Sequence, residues 1–162
     1  MTPTTIINTR HLLRGSAVAN DELNDEITAL LRQAGQRYTK GRRALVTVLE
    51  SFGQPITIPQ ILEAGNGLAQ SSVYRNLVVL EEAGVVTRIV TNDEFARYEL
   101  AERLTEHHHH LICSSCGDVT DFSLSNRTEA SLDRALHQIA ESVGFTVEGH
   151  RLDLVGVCSN CD

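Results

Sequence analysis

The chain has 162 residues, enough for one compact domain or two small ones, and it contains no Trp and only 4% aromatic residues. No apolar run approaches the roughly 20 residues of a membrane-spanning helix, and the segment from Met1 to Arg10 lacks the apolar core of a secretory signal. These features predict a cytoplasmic protein without a membrane partner, in which thiols stay reduced. Its core must consist mainly of Leu, Val, Ile and Ala.

The net charge of −7 is distributed unevenly along the chain. Residues 1–90 hold nine Lys or Arg against eight Asp or Glu, whereas residues 91–162 hold five against thirteen. Four of the N-terminal cations lie within seven residues and form a basic cluster: Arg37, Lys40, Arg42 and Arg43. Cations suit contact with phosphates and an acidic half suits contact with metal ions, so the asymmetry indicates two domains with different partners.

The first hundred residues show helical periodicity followed by a hairpin pattern. Residues 1–20 lack periodicity and are predicted to form an arm. Helices are predicted over residues 21–34, 42–52, 58–64 and 72–83, with N-caps at Thr39, at Thr57 and at Ser71 or Ser72. Strands are predicted over residues 85–90 and 95–100. Helices followed by a hairpin predict a winged helix-turn-helix domain over residues 21–100; the alternative is any small helical domain with a hairpin.

The rest of the chain predicts a hinge over residues 101–106 and a small domain over residues 107–162. In this domain, strands are predicted over 108–113, 119–122 and 145–157, and a helix over 125–143. One small sheet leaves an edge and an apolar face uncovered, and a second copy of the chain can cover both, so we predict a homodimer. The predicted fold class is therefore α+β: an N-terminal winged helix-turn-helix domain followed by a small α/β dimerisation domain.

Four cysteines form two Cys-x-x-Cys pairs, Cys113 with Cys116 and Cys158 with Cys161. The two-residue gap lets both thiolates of a pair bind one metal ion, and two such pairs match the tetrahedral preference of Zn²⁺. The separation between the pairs is too long for a zinc finger and suits a site that joins the first and last strands of a domain. We predict structural Zn²⁺ at these residues, the cysteine site.

Four consecutive histidines, His107 to His110, precede the first cysteine pair. Side chains alternate between the faces of a strand, so two further sites for Zn²⁺, Fe²⁺ or Mn²⁺ are expected, one on each face. The predicted ligands of the hinge site are His108, His110, Asp121 and Glu99, with Glu102 as the alternative to Glu99. Those of the second histidine site, within the dimerisation domain, are His107, His109, Glu129 and His150.

The helix over residues 72–83 is the candidate for reading DNA. Its Tyr74, Arg75 and Asn76 would project from the first turns, where a helix in the major groove meets base edges. The basic cluster would then contact the sugar–phosphate backbone or the minor groove. A solvated polar helix face explains the same residues, so this pattern alone is weak evidence.

Several motifs together resemble the ferric uptake regulator (Fur) family of metal-dependent bacterial repressors, over residues 20–162. They are Ser72-Val-Tyr-Arg-Asn-Leu77 leading into Glu82-Ala-Gly84, Tyr98-Glu-Leu100, the segment from His107 to Gly117, and Cys158-x-x-Cys161. The resemblance implies a structural zinc at the cysteine site and a regulatory metal near the hinge that licenses operator binding. It also implies DNA contacts from Tyr74, Arg75 and Arg37, and the ligand sets given above for both histidine sites.

Two departures from the family pattern leave the sensed metal open. Iron- and peroxide-sensing members usually supply a His from the loop before the third helix, where this chain has Gln54-Pro55. Zinc-sensing members usually supply an Asp and a Cys, where this chain has Thr87 and Ala101. Nitrogen and carboxylate ligands without a sensor Cys favour Fe²⁺ first, with Mn²⁺ or Zn²⁺ as the other candidates.

The sequence thus predicts a metal-responsive transcriptional repressor that binds palindromic operators as a homodimer, without enzymatic activity or a small organic substrate. Two alternatives stay open. A zinc-dependent hydrolase would use His108 and His110 with an acid, although the chain has no His-Glu-x-x-His unit. A metal-storage or chaperone protein would also be rich in His, but it would not need the Tyr74–Arg75 element.

Overall fold

The computed structural model describes residues 17–65, 67–91 and 95–162. The helices are α1 (Ala17–Gln33), α2 (Lys40–Phe52), α3 (Ile58–Ala64), α4 (Gln70–Glu82) and α5 (Asn126–Ser142). The strands are β1 (Ile56–Thr57), β2 (Val86–Val90), β3 (Ala96–Leu100), β4 (His109–Cys113), β5 (Val119–Phe122) and β6 (Asp153–Gly156), and a 3₁₀ turn spans Glu102–Leu104. Within the described residues, no helix combines the length and the apolar character that a membrane span requires.

The N-terminal half is a winged helix-turn-helix, in which helices α1 to α4 precede the hairpin of β2 and β3. Its strands form an antiparallel sheet in the order β1-β3-β2. The core cluster extends from Leu23 to Leu104 and contains the apolar residues that recur at helical spacing, such as Ile27, Leu49 and Leu77. The predicted α+β class is confirmed. Of the predicted arm, only residues 17–20 lie within the described residues, and they already belong to α1.

Two of the predicted helix caps are confirmed, and one is wrong. The Thr39 side chain accepts a hydrogen bond from the backbone N–H of Arg42, and Thr57 forms a capping box with Gln60. Helix α4, however, begins at Gln70, so its N-cap is Ala69, which makes no side-chain cap. Both serines that were predicted as caps therefore lie inside the first turn of α4.

The short strand β1 was not predicted, because two residues are too few for an alternating pattern. Ile56 pairs with Tyr98 and Thr57 with Arg97, so β3 becomes the central strand of its sheet. This position buries the polar side chain of Glu99, which is 8% exposed.

The C-terminal half contains a second sheet in the order β5-β4-β6, with β5 antiparallel and β6 parallel to β4. The strand predicted over residues 145–157 is too long, since only Asp153–Gly156 is a strand. In the parallel register, His110 aligns with Asp153 and β4 begins at His109. Residues 145–151 therefore extend beyond the start of β4 and have no strand to pair with.

This second domain buries few apolar side chains of its own. Among the described residues after Leu104, the buried apolar residues are Cys113, Val119 and Ala140. Ile139 in α5 and Val143 at its C-cap recur at helical spacing, but their side chains are 64% and 75% exposed. Within the part of the chain that the structure describes, these two side chains are therefore left largely uncovered.

Because Leu77 is 1% exposed in the core and Val78 beside it is 52% exposed, the two residues form a matched pair for a stability test. We expect Leu77→Ala to lower the free energy of unfolding by about 2–5 kcal/mol, through lost burial and the cavity that remains. Val78→Ala should change it by no more than about 0.5 kcal/mol. Urea denaturation followed by circular dichroism measures both, and equal effects would contradict this assignment of the core.

Candidate metal centres

Strand β4 and the two residues before it organise all three candidate sites. Side chains alternate along this segment, so the His107 ring lies 4.7 Å from that of His109, and the His108 ring lies 5.1 Å from that of His110. Three of these histidines are buried. The two pairs face opposite sides of the strand, as predicted, and Cys113 closes its end.

The hinge site brings together the four predicted residues Glu99, His108, His110 and Asp121. Each offers one ligand atom, and these four atoms lie within 4.8 Å of one another. The Glu99 oxygens lie 3.1 Å from His108 Nε2 and 3.2 Å from His110 Nε2. The Asp121 oxygens lie 3.9 and 3.8 Å from the same two nitrogens. Glu99 belongs to the winged domain, whereas the other three belong to the second domain, so the site joins the two.

The outer nitrogens of both hinge-site histidines are held by other groups. His108 Nδ1 lies 2.9 Å from the backbone oxygen of Glu106, and His110 Nδ1 lies 3.1 Å from Asp153 Oδ1. Such contacts fix the ring orientation and direct Nε2 toward the other candidate ligands. No sequence pattern indicates Asp153 as a partner of His110, because its position opposite His110 depends on the register between β4 and β6.

The charges in the hinge site stabilise one another. Burial favours the neutral form of Glu99, but its contacts with His108 and His110 outweigh burial and lower its pKa to about 2. Burial likewise opposes the charged form of His110, but contacts with Glu99 and Asp153 and the nearby charge of Asp121 raise its pKa. Without metal, the Glu99 carboxylate and the His110 imidazole therefore favour each other's charged forms.

The second histidine site is arranged around Glu129, in the first turn of α5. The two Glu129 carboxylate oxygens lie 3.1 Å from His107 Nε2, 3.0 Å from His109 Nε2 and 3.0 Å from His150 Nε2. Each of the four predicted residues again offers one ligand atom, and these atoms lie within 4.8 Å of one another. On the outer side, His150 Nδ1 lies 3.0 Å from Asp133 Oδ1, and Glu102 contacts His107 Nδ1. Glu102, the alternative ligand for the hinge site, therefore lies at this site instead.

Both histidine clusters fit a divalent cation. His110 Nε2 and His150 Nε2 are buried and, among the described residues, have no hydrogen bond of standard geometry, although carboxylate oxygens approach them to 3.2 and 3.0 Å. Ligands at about 2.0–2.1 Å from a tetrahedral ion lie about 3.3 Å apart, which is close to these separations. Other nitrogens of the two clusters are hydrogen-bonded to the same carboxylates, such as His108 Nε2 to Glu99 and His109 Nε2 to Glu129. The donor atoms of both clusters thus converge at separations that suit metal ligands.

The cysteine site brings together the four predicted thiols, with all four sulfurs within 4.8 Å of one another. All four cysteines are free, and Cys116 Sγ lies 3.8 Å from Cys158 Sγ. This distance matches the edge of about 3.8 Å expected for a tetrahedral Zn²⁺ with bonds of about 2.3 Å. Backbone N–H groups of Cys116, Cys158 and Ser115 lower the pKa of Cys113 to about 6, which favours its thiolate. The Asp118 backbone N–H lowers the pKa of Cys116, but contacts with the Cys113 and Cys161 thiols outweigh it and raise this pKa to about 12. Without metal, negative charge is therefore favoured at Cys113 and disfavoured at Cys116.

The residues of α4 that are predicted to contact DNA differ in how far their side chains are exposed to solvent. Tyr74 is 50% exposed, and Arg75 is exposed with its Nε hydrogen-bonded to the backbone oxygen of Ser71. Asn76 is half-buried, and its side-chain amide donates to Ser72 Oγ at 3.2 Å. The surface of α4 thus offers Tyr74 and Arg75, whereas Asn76 is engaged within the helix.

The basic cluster also divides into exposed and engaged side chains. Arg37 and Lys40 are exposed. Arg42 is half-buried and donates to the backbone oxygen of Arg37, and Arg43 stacks over the ring of Tyr38, with 4.0 Å from Cζ to the ring centroid. Arg42 therefore stabilises the entry to α2, and the cations most available to a phosphate are Arg37 and Lys40.

The chain is similar to known proteins over most of its length. Residues 33–155 match the model of the Ferric uptake regulator family. The chain belongs to this family. It is 34% identical to the Ferric uptake regulation protein of Campylobacter jejuni over 152 residues, which cover 90% of this chain and 92% of that protein. It is 30% identical to the Peroxide-responsive repressor PerR of Staphylococcus aureus over 141 residues, which cover 85% and 90%.

The fold is also that of a ferric uptake regulator. The solved structure of the ferric uptake regulator of Vibrio cholerae superposes with a TM-score of 0.63 at 28% identity, covering 81% of this chain and 98% of that one. Members of this family are metal-responsive transcription regulators and not enzymes, which argues against the hydrolase alternative.

The raised pKa of His110 predicts how metal binding at the hinge site of this Fur-family protein depends on pH. A proton must leave the imidazole before metal binds, so affinity should fall as pH drops through that pKa, whereas Glu99 stays ionised and does not compete. The folding stability of the metal-free protein has the opposite pH dependence. The stabilisation that charged His110 contributes is present at low pH and is lost as pH rises through the same pKa.

Competition titration of Mn²⁺ against a chelator, between about pH 5.5 and pH 8, measures this dependence. Asp153→Asn should move the midpoint to lower pH, because it removes one contact that raises the pKa of His110. Asp118→Asn, on the exposed turn before β5, serves as the control. Affinity that does not change with pH would contradict the assignment of His110 as a ligand.

Proposed function

We propose that this chain is a homodimeric repressor that binds a palindromic operator when a divalent metal is bound at the hinge site. One observation carries the proposal: Glu99 of the winged domain lies among His108, His110 and Asp121 of the second domain. A site whose ligands come from both sides of a hinge responds to metal by changing the relation between the domains.

The four proposed ligands of the hinge site come from both domains. Glu99 extends from β3, the central strand of the wing sheet, so the position of this carboxylate follows the position of the winged domain. His108, His110 and Asp121 are fixed on β4 and β5, where His110 stands opposite Asp121. A cation shared by the four would neutralise two carboxylates at once and favour the closed arrangement of the domains.

The DNA contacts follow from what α4 and the basic cluster leave exposed. Tyr74 and Arg75 would meet base edges in the major groove, and Arg37 and Lys40 would contact the sugar–phosphate backbone. Two copies of the chain would present two α4 helices to half-sites about one helical turn of DNA apart. The names of the relatives support this proposal, since the S. aureus protein is a repressor and the V. cholerae protein has DNA-binding domains.

The metals follow from the donor atoms. Four thiolates in tetrahedral arrangement suit structural Zn²⁺, which would tie the end of β4 to the segment after β6. Two imidazoles and two carboxylates at the hinge site suit Fe²⁺ first, then Mn²⁺ or Zn²⁺. Iron- and peroxide-sensing members of the family usually supply one more histidine from the loop before the third helix. This chain has the buried Pro55 there, and proline has no side-chain ligand atom. Among the proposed ligands of the hinge site, Glu99 alone therefore comes from the winged domain.

The dimer interface would be built from the apolar side chains that one chain leaves uncovered. In α5 the only buried residue is Ala140, and every residue of β6 is exposed. The exposed apolar residues of this region are Ile139, Val143, Phe145, Leu154, Val155 and Val157. So many large apolar side chains in about twenty residues exceed what a monomer of this size usually exposes to water. A second copy of the same surface would cover them.

The repressor proposal is tested by operator binding with and without metal. We expect the chain to bind a palindromic operator with Mn²⁺ or Fe²⁺ present, and to lose most of this affinity in excess chelator. Arg75→Ala should weaken the metal-loaded complex by about tenfold or more, since it removes a contact to guanine or phosphate. The control is Arg134→Ala, which removes the same charge from an exposed position of α5.

Fluorescence anisotropy with a labelled operator gives both results. Equal affinity with and without chelator would refute the metal switch. An Arg75→Ala protein that binds as tightly as Arg134→Ala would refute the assignment of α4 as the reading helix. Tight binding of several metal ions without any DNA binding would favour the metal-storage alternative.

The dimer proposal is tested by placing a charge in the exposed apolar surface. Ile139→Glu should convert the dimer to a monomer at micromolar concentration, because it buries a carboxylate without a partner in the interface. Val90→Glu makes the same change at an exposed apolar position of the wing, 71% exposed, and should leave the dimer intact. Sedimentation velocity distinguishes the outcomes, and a dimeric Ile139→Glu protein would contradict the proposed interface.

A further inference from the structure

We propose that Glu102 is a positioning residue for the second histidine site and links metal binding there to the winged domain. The inference deepens the proposed function, on which it rests, because it gives the second site a route to the hinge. The side chain of Glu102 contacts His107 Nδ1, on the side of the ring that faces away from the other candidate ligands. The opposite nitrogen, His107 Nε2, lies 3.1 Å from Glu129.

This arrangement is the one that carboxylates adopt behind metal-binding histidines. All three Nε2 atoms of the site surround the Glu129 carboxylate, so these nitrogens face the position that a metal would take. A carboxylate on the outer nitrogen fixes the ring orientation and makes the imidazole a stronger ligand. Asp133 does this for His150, from within the same domain. Glu102 does it for His107 from the hinge.

The turn that carries Glu102 is attached to the winged domain. Leu104, two residues further, is 8% exposed and belongs to the core cluster of that domain. The backbone N–H of Ala101 donates to the backbone oxygen of Val85 at 2.9 Å, at the start of the hairpin. A change in the position of Glu102 is therefore transmitted to the winged domain through residues that are packed in its core.

The contact is suited to switching because it is weak without metal. The side chains of His107 and Glu102 are 37% and 51% exposed, and ion pairs at that exposure stabilise a protein little. Metal binding at Nε2 draws electron density from the ring, so Nδ1–H becomes a better donor to Glu102. The contact between Glu102 and His107 should then hold the turn over residues 102–104 against the second histidine site when metal is bound. Without metal the contact should weaken, and the turn should be less restrained.

The test compares Glu102→Gln with Glu148→Gln. Glu148 lines the same open cleft as Glu102, His107 and His150 but does not belong to the ligand cluster, so its substitution removes the same charge from the same surface. Every protein compared carries His110→Gln, which weakens the hinge site, so that added Zn²⁺ reports on the second site. The readout is amide hydrogen exchange at Leu104 and Thr105, whose N–H groups donate to the backbone oxygens of Ala101 and Glu102.

We expect Zn²⁺ to slow exchange at these two amides in the parent protein and in Glu148→Gln. In Glu102→Gln, Zn²⁺ should give little protection, and its affinity for the second site should fall about tenfold. Exchange without metal should be alike in all three proteins, since an exposed ion pair contributes little. Full Zn²⁺-dependent protection in Glu102→Gln, or equal loss in Glu148→Gln, would overturn the inference. A chain that binds operator equally with and without metal would instead refute the proposed function and leave this exchange result standing.

Discussion

The alternation of side chains along β4 is the constraint on which the rest of the second domain depends. Because consecutive residues of a strand face opposite sides, four adjacent histidines are divided into two pairs that cannot share one metal. One pair meets Glu99 and Asp121, and the other meets Glu129 and His150. The same strand ends at Cys113, so a single element of five residues contributes to three separate clusters.

This arrangement gives the two domains different physical bases for stability. The winged domain has a continuous apolar core, whereas the second domain buries His108, His109 and His110 where a small domain would normally bury aliphatic side chains. Buried imidazoles and carboxylates stabilise a fold only when they are paired or bind metal. Folding of the second domain and metal binding are therefore expected to be coupled, while the winged domain can keep its structure whether or not metal is present.

The parts of the structure that the sequence predicted are those that depend on local rules. Strand alternation places the histidine pairs, and the threonines at positions 39 and 57 act as caps because their hydroxyls need only neighbouring backbone groups. The N-cap of α4 is a local prediction that was wrong, because the helix begins at Gln70 and its N-cap is Ala69. The other wrong predictions concern distant partners. Residues 145–151 alternate weakly and find no strand beyond the start of β4, and Glu102 turns to the second site because the 3₁₀ turn, invisible in the pattern, directs it there. Asp153 was missed for the same reason, since register is a tertiary property.

The register of β4 has an evolutionary consequence. Two neighbouring strands bring acidic residues opposite His110, namely Asp121 of β5 and Asp153 of β6. A single inserted or deleted residue between His107 and Cys113 would reverse the faces of the side chains on one side of the change. The histidines and the first thiol would then no longer both match their partners, so at least one cluster would be dismantled. Among related chains, insertions and deletions should therefore be confined to the turns on either side of β4. The strand itself should keep its length wherever the histidine sites and the cysteine site are all retained.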